Sequence, residues 1–243
     1  LFGILSESGR QSFNAVQAFG ARAVAEATRA AGIPTLVQMS ALGAHPDSQS
    51  LYAKSKAEGE AAALETVPGA VVLRPSIVFG PEDKFFNRFA DLTRYLPALP
   101  LIGGGTTKFQ PVFVGDVAEV IARAVDGTVE GGRIYELGGP EVKTFRECLE
   151  LILSEIGRSR PLVSLPWGVA RAQASVMEWL PNPMMTRDQL KLLETDNVVS
   201  EKAVAEGRTL EGLGIQPTSL EAVLPSYLVR FKPHGQFDHK RTA

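Results

Sequence analysis

Three side chains in the first sixty residues have types and spacing suited to proton transfer: Ser40, Tyr52 and Lys56. On a helix, positions i and i+4 share a face, so the Tyr52 phenol and the Lys56 ammonium would project into the same space. A free phenol ionises near pH ~10 and is a poor acid or base at neutrality. A cation beside it favours the phenolate. Bringing it to neutrality takes about three pKa units, or roughly 4 kcal/mol of differential interaction. A hydroxyl at Ser40, twelve positions upstream, could hold a substrate oxygen meanwhile. Together these groups could exchange a proton with a carbonyl or an alcohol.

The elements that must position them can be read from hydrophobic periodicity. Leu1 to Leu5 is an apolar run, taken as an opening strand. Phe13, Val16, Phe19, Ala23, Val24, Ala27 and Ala30 recur at helical spacing from Ser12 to Ala31, and Gly32 closes that segment. Thr35–Met39 reads as a strand ending at Ser40, Ser50–Glu65 as an alanine-rich helix, and Ala70–Leu73 as a buried strand. Strands that are apolar nearly throughout, alternating with helices, predict a parallel sheet covered by helices, a doubly wound α/β fold. In such sheets ligands bind beyond the carboxyl ends of the strands, where Ser40 falls. The stretch 74–81, RPSIVFGP, follows the buried strand. Proline there ends the ladder and is expected to leave backbone groups for a ligand.

Beyond Gly80 the rhythm is irregular. Phe109–Val114 reads as a strand, with Asp116 expected to cap a helix through Val125, and Arg133–Leu137 as a further strand. Thr144/Glu147, Thr186/Gln189 and Thr218/Glu221 have the spacing of capping boxes. Gly103–Gly105 precedes a strand and not a helix, so it is not read as a phosphate-binding turn.

Ser40, the Tyr52/Lys56 pair and RPSIVFGP resemble the later half of the short-chain dehydrogenase/reductase superfamily, in its extended and atypical branches. The resemblance implies a Rossmann-type domain binding NADP or NAD, with Tyr52 as acid/base. It implies that Lys56 binds the nicotinamide ribose and lowers the tyrosine pKa, and that Pro75, Ser76 and Ile77 touch the nicotinamide. Gly3 matches a position that passes close to the cofactor. A closer resemblance spans nearly the whole chain. It rests on GARAVAEATRAAG (20–32), QMSALGAHPDS (38–48), YAKSKAEGE (52–60), TKFQPVFVGDVAEVI (107–121) and YELGGPEVKTFRE (135–147), and more specifically on TRDQLKLLETDNVVS (186–200) and LPSYLVRFKPHGQF (224–237). These are similar to the nucleotide-binding accessory subunits of respiratory complex I, whose mitochondrial members hold NADPH as a structural element.

Two departures stand beside the resemblance. Ser40 is followed by Ala41-Leu42-Gly43, so either Ser40 or Ala41 occupies the position of the family's catalytic hydroxyl. No G-x-x-G-x-x-G or G-x-G-x-x-G is present, and the chain begins Leu-Phe-Gly without a methionine. It is therefore expected to lack the first strands and the phosphate end of the nucleotide site. The 2′-reading residue lies there too, which leaves NAD and NADP undistinguished.

The resulting expectation is a later Rossmann half over 1–80 and a smaller substrate-binding or docking domain over 81–243, with 111–126 returning to the Rossmann sheet. Two functions follow from the resemblance. One is a nucleotide-holding accessory component meeting complex I subunits at the inner membrane surface. The other is a working NAD(P)H-dependent reductase or sugar-nucleotide epimerase/dehydratase.

Composition bounds these readings. The 243 residues are 44% hydrophobic and carry 25 Lys+Arg against 27 Asp+Glu. That length supports a sizeable core, and a net charge of −2 speaks against a nucleic-acid backbone as partner. One cysteine excludes a disulfide framework and fits a reducing, cytoplasmic compartment. No apolar run approaches the ~20 residues of a membrane span. Cys148 reads as a buried hydrophobe and His45 as a solvated loop residue. His234 and His239 are too isolated for a metal set, so no metal is expected. Trp167, Val176, Trp179, Leu180, Met184 and Met185 form an apolar region suited to core or docking. Arg230, Lys232, Lys240 and Arg241 form a basic cluster near the end.

Overall fold

Val71, Val72 and Leu73 are buried on both faces, as the centre of a parallel sheet requires. In the computed structural model, which describes residues 3, 4, 7, 9, 11–179 and 185–233, they lie in strand β2 (Val71–Pro75) between β1 (Val37–Met39) and β7 (Arg133–Leu137). Both pairings are parallel, Met39 opposite Leu73 and Pro75 opposite Leu137. Of the apolar run Leu1–Leu5, only Gly3 and Ile4 are described, and neither lies in a strand.

Two helices cover one face. A π-helical turn, Asn14–Phe19, runs straight into α1 (Gly20–Ala30), and α2 (Leu51–Thr66) links β1 to β2. Ala25, Ala63, Val67 and Ala70 fill the space between them. These small side chains let the helices approach closely. A Cβ on Gly59 would stand 2.7 Å from the Gln17 carbonyl oxygen, so α2 and the π turn meet at backbone distance there.

The later residues extend this sheet and build a second core. Short β3 (Val78–Phe79) continues past β2. Helix α3 (Phe86–Tyr95) and β4 (Leu99–Ile102) follow, then β5 (Lys108–Phe109), β6 (Val112–Phe113) and α4 (Val114–Val125). Val117, Val120 and Ala124 of α4 pack with Val71, Leu73, Tyr135 and Leu137 of the sheet. Of 81–243, it is β7 that enters the sheet by backbone pairing, whereas 114–125 lies against it as a helix.

Short β8 (Lys143–Thr144), α5 (Phe145–Glu155), β9 (Leu162–Leu165), α6 (Trp167–Met177), α7 (Arg187–Leu193), α8 (Glu201–Ala205) and α9 (Leu220–Leu228) complete the order. β4 pairs with β9, and β3 with β6, in parallel; β5 and β8 are antiparallel. The second core joins Phe79, Phe86, Phe109 and Phe145 to Leu149, Ile152 and Leu224. Cys148 is fully buried within it, and burial pushes its thiol up to about 12.

Several local expectations are corrected. The strand expected over Phe109–Val114 is split, because Pro111 has no N–H for a continuous ladder. Phe109 pairs with Lys143, while Val112 pairs with Val78. Asp116 lies inside the first turn of α4 and does not cap it. Its carboxylate accepts from the Thr218 N–H (2.7 Å) and hydroxyl (2.9 Å). That contact takes Thr218 out of the expected capping box, and α9 starts after Ser219 without a side-chain cap among the described residues. The boxes at Thr144/Glu147 and Thr186/Gln189 form. No helix of the described residues is long and apolar enough to cross a membrane.

Candidate functional site

Helix α2 begins at Leu51 because Ser50 is extended and its hydroxyl accepts from the Ala53 N–H. Tyr52 and Lys56 then stand one turn apart and meet. The Lys56 Nζ is 5.8 Å from the centre of the Tyr52 ring and donates to the Met39 carbonyl at 3.2 Å. Met39 ends β1, so this bond ties the helix to the carboxyl edge of the sheet. A Cβ added to Gly3 would lie 3.8 Å from the same Nζ. Gly3, Tyr52 and Lys56 therefore share one place, at the end of β1 where Ser40 follows.

Ser40 is held by its N–H on the Leu73 carbonyl at 2.7 Å. Its hydroxyl is buried without a hydrogen-bond partner among the described residues. Ala41, the alternative at the hydroxyl position, is half-buried. His45 is exposed, its Nδ1 accepting from the Asp47 N–H.

Burial shifts both ionisable groups of the pair. Burial pushes the Tyr52 phenol up to about 12, away from neutrality. Burial also lowers the Lys56 ammonium, against a smaller upward pull from Glu60. The partly buried ring meets Phe13 edge-on, with centroids 5.9 Å apart at 81°. The neighbours of the Lys56 Nζ are the Tyr52 ring and the Met39 carbonyl.

The exit from β2 is also more committed than expected. The Pro75 carbonyl accepts from the Leu42 N–H, Ser76 N–H donates to Leu137, and the Ile77 carbonyl accepts from Val112. The Ser76 hydroxyl donates to Asn197, at 2.7 Å to its side-chain oxygen and 3.1 Å to its carbonyl. Ile77 packs against the aromatic core. The backbone groups expected to be left for a ligand are thus largely taken by the chain itself. One residue earlier, Arg74 grips Glu60 of α2 through two bonds (2.6 and 2.7 Å) and reaches Glu136 of β7 at 3.8 Å. That fork fixes α2 against the sheet.

Three positioning residues escaped the spacing arguments because their partners are distant in sequence. Gln17, buried in the π turn, accepts from the Ser55 hydroxyl and donates to the Ile4 carbonyl, so it places Gly3–Ile4 beside α2. Asn197 anchors Ser76. Asp188 accepts from Ser50, Leu51 and Tyr52. The Thr186/Gln189 box announced the helix that carries Asp188, but not where the aspartate would reach.

The apolar region near the end of α6 divides. Trp167 and Met185 pack on the aromatic core, while Val176 (71%) and Trp179 (90%) are exposed. Leu180 and Met184 fall outside the described residues, as do His234, His239, Lys240 and Arg241.

Residues 5–138 match the family described as NAD dependent epimerase/dehydratase, more than half of the chain. The chain belongs to the NAD dependent epimerase/dehydratase family. Its curated relatives include NADH dehydrogenase (ubiquinone) 1 alpha subcomplex subunit 9, mitochondrial, of Arabidopsis thaliana, 36% identical over 214 residues. That match covers 84% of this chain and 52% of the plant protein, so the chain spans about half the length of such relatives. A ceramide reductase of Caulobacter vibrioides is 31% identical over 215 residues, covering 84% of this chain and 66% of that protein. Among solved structures, dTDP-glucose 4,6-dehydratase of Bacillus anthracis in complex with NAD aligns with a TM-score of 0.65 at 19% identity. That alignment covers 89% of this chain and 67% of that one. The epimerase/dehydratase chain described here thus has the Rossmann-type α/β fold of an NAD-binding family.

Proposed function

We propose that this chain is the nicotinamide-side part of an accessory subunit of a respiratory NADH:quinone oxidoreductase, and that its NADP or NAD is held as a structural element. The observation that carries the reading is the 36% identity to a mitochondrial NADH dehydrogenase subunit over 84% of this chain. Tyr52 lies against the Phe13 ring and beside Lys56, placed for packing and nucleotide binding.

The residues fit the ribose and nicotinamide end of the dinucleotide. Gly3 presents no side chain beside Lys56. An ammonium carries three donors, of which Met39 takes one, so Lys56 can bind ribose hydroxyls. The buried Ser40 hydroxyl lacks a partner among the described residues and suits a ligand oxygen. Pro75, Ser76 and Ile77 form the wall on the nicotinamide side. The bound group supplies a hydride carrier, while the chain supplies enclosure and orientation. Residues 1–80 would form the later half of the nucleotide-binding domain, and 81–243 the smaller docking domain, from which β7 pairs back into the sheet and 114–125 packs on it.

In this reading the protein works peripherally, on the cytoplasmic side of an inner membrane, against other subunits of the oxidoreductase. The test is fractionation of the full-length protein. It should co-purify with membranes and oxidoreductase subunits while carrying bound nucleotide, and recovery only as a free soluble protein would overturn the assignment.

A second reading, an active NAD(P)H-dependent reductase or epimerase/dehydratase, is favoured by the retained Ser40, Tyr52 and Lys56 and by the ceramide reductase relative. It requires Tyr52→Phe to abolish turnover with little loss of nucleotide affinity.

A further inference from the structure

We propose that Asp188 is a positioning residue for the nucleotide site, acting as a cap supplied to α2 from the far end of the sequence. The proposal rests on the reading of Tyr52 and Lys56 as nucleotide-binding residues. Asp188 lies in the first turn of α7, 137 positions beyond Leu51, whose N–H it accepts at 2.8 Å through Oδ1. Its Oδ2 accepts from the Ser50 hydroxyl at 2.7 Å and the Tyr52 N–H at 3.1 Å. A helix start leaves its first N–H groups unsatisfied and carries partial positive charge, so a carboxylate there both satisfies donors and opposes that charge. The donors belong to Tyr52 itself and to its two predecessors, so the position of the aspartate sets where the tyrosine backbone begins its turn. Lys56 follows one turn later on the same rigid helix.

The rest of the same segment grips the start of α2 again and then the far wall. Lys191 donates to the Gln49 carbonyl at 2.9 Å. Asn197 accepts from the Ser76 hydroxyl, Val199 N–H donates to the Gln110 side chain at 3.0 Å, and Ser200 N–H donates to Glu136 at 2.8 Å. One stretch, 186–200, thus joins the start of α2, the exit of β2 and the edge of β7. The first of these elements carries Tyr52 and Lys56. The bonds from Asp188 and Asn197 give this stretch a direct hold on the nucleotide-side residues, beyond its share in packing.

The test uses the full-length protein and its variants Asp188→Ala, Asp188→Asn and Glu194→Gln, with nucleotide affinity and amide hydrogen exchange as readouts. Glu194 pairs with Arg171 on the outer side of the same segment, so its variant controls for general loosening. Asp188→Ala should weaken nucleotide binding about tenfold or more and speed exchange at 51–53, as expected from losing charged capping bonds. Asp188→Asn, with one acceptor oxygen in place of two, should fall between. Glu194→Gln should match the wild type. By reciprocity, nucleotide bound to the wild type should slow exchange at 186–190 as well as at 51–56. Wild-type affinity in Asp188→Ala, or protection at 51–56 with none at 186–190, would overturn the proposal. Where Asp188→Ala does not fold, Asp188→Asn and the wild-type exchange decide. A wild type that binds no nucleotide would refute the site reading alone. Exchange at 51–53 in the Asp188 variants would then decide whether Asp188 sets this turn: faster exchange supports the cap, and unchanged exchange overturns it.

Discussion

At the scale of single residues, burial decides how Tyr52 titrates. Its phenol is raised from 10.0 to about 12 by burial, which fixes the sign of a pH effect. The folded-state value exceeds the unfolded one, so its contribution is fully present below pH 10 and is lost as pH rises through about 12. Two units correspond to roughly 2–3 kcal/mol at the limit. Urea unfolding at pH 9 and at pH 11.5 should therefore show the wild type losing more stability than Tyr52→Phe, and equal losses would mean the phenol is solvated. Glu60 offers a second case. It is nearly enclosed and bound bidentately by Arg74, so Arg74→Met would strand a buried carboxylate. The expected cost is about 3–5 kcal/mol in chemical denaturation, and a loss under 1 kcal/mol would show that water reaches Glu60.

At the level of elements, α2 is held at both of its faces and at its start. Gly59 allows the backbone approach to the π turn, where a Cβ would stand 2.7 Å from the Gln17 carbonyl oxygen. Helix propensity alone would make Gly59→Ala stabilising by about 1 kcal/mol. The clash with a backbone atom works against this and costs about 1–3 kcal/mol. We expect net destabilisation, with faster amide exchange at 14–19; a higher melting temperature would show that the contact is loose. Local pattern made this helix legible, because Ser50, the alanine-rich run and the Tyr52/Lys56 spacing all lie within one element. The parallel strands were legible from their unbroken apolar runs. What could not be read was set by distant partners. Thr218 has the local spacing of a cap and is claimed by Asp116. Pro111 divides one apparent strand between two pairings. Asp188 and Asn197 serve residues more than 100 positions away.

For the whole molecule, the sheet and its two cores place every candidate nucleotide contact at one end of β1 and β2, and the 186–200 segment closes that end. A ligand that binds only the folded state stabilises it by mass action. NADPH or NADH at one hundred times its dissociation constant should therefore raise the unfolding free energy of the full-length protein by about 2.7 kcal/mol. An unchanged melting curve at saturating nucleotide would exclude a structural cofactor. The exposed Val176 and Trp179 at the end of α6 belong to this scale too, as apolar surface outside the nucleotide site.

The account turns on Lys56 as the group that binds the nucleotide and on Tyr52 as its neighbour one turn away. Calorimetric titration of NADPH and NADH into full-length wild type, Lys56→Met and Tyr52→Phe separates the two roles. Lys56→Met should bind at least about tenfold more weakly, the scale of a lost charged hydrogen bond, while Tyr52→Phe should stay within about twofold of the wild type. Wild-type affinity in Lys56→Met would contradict the account directly.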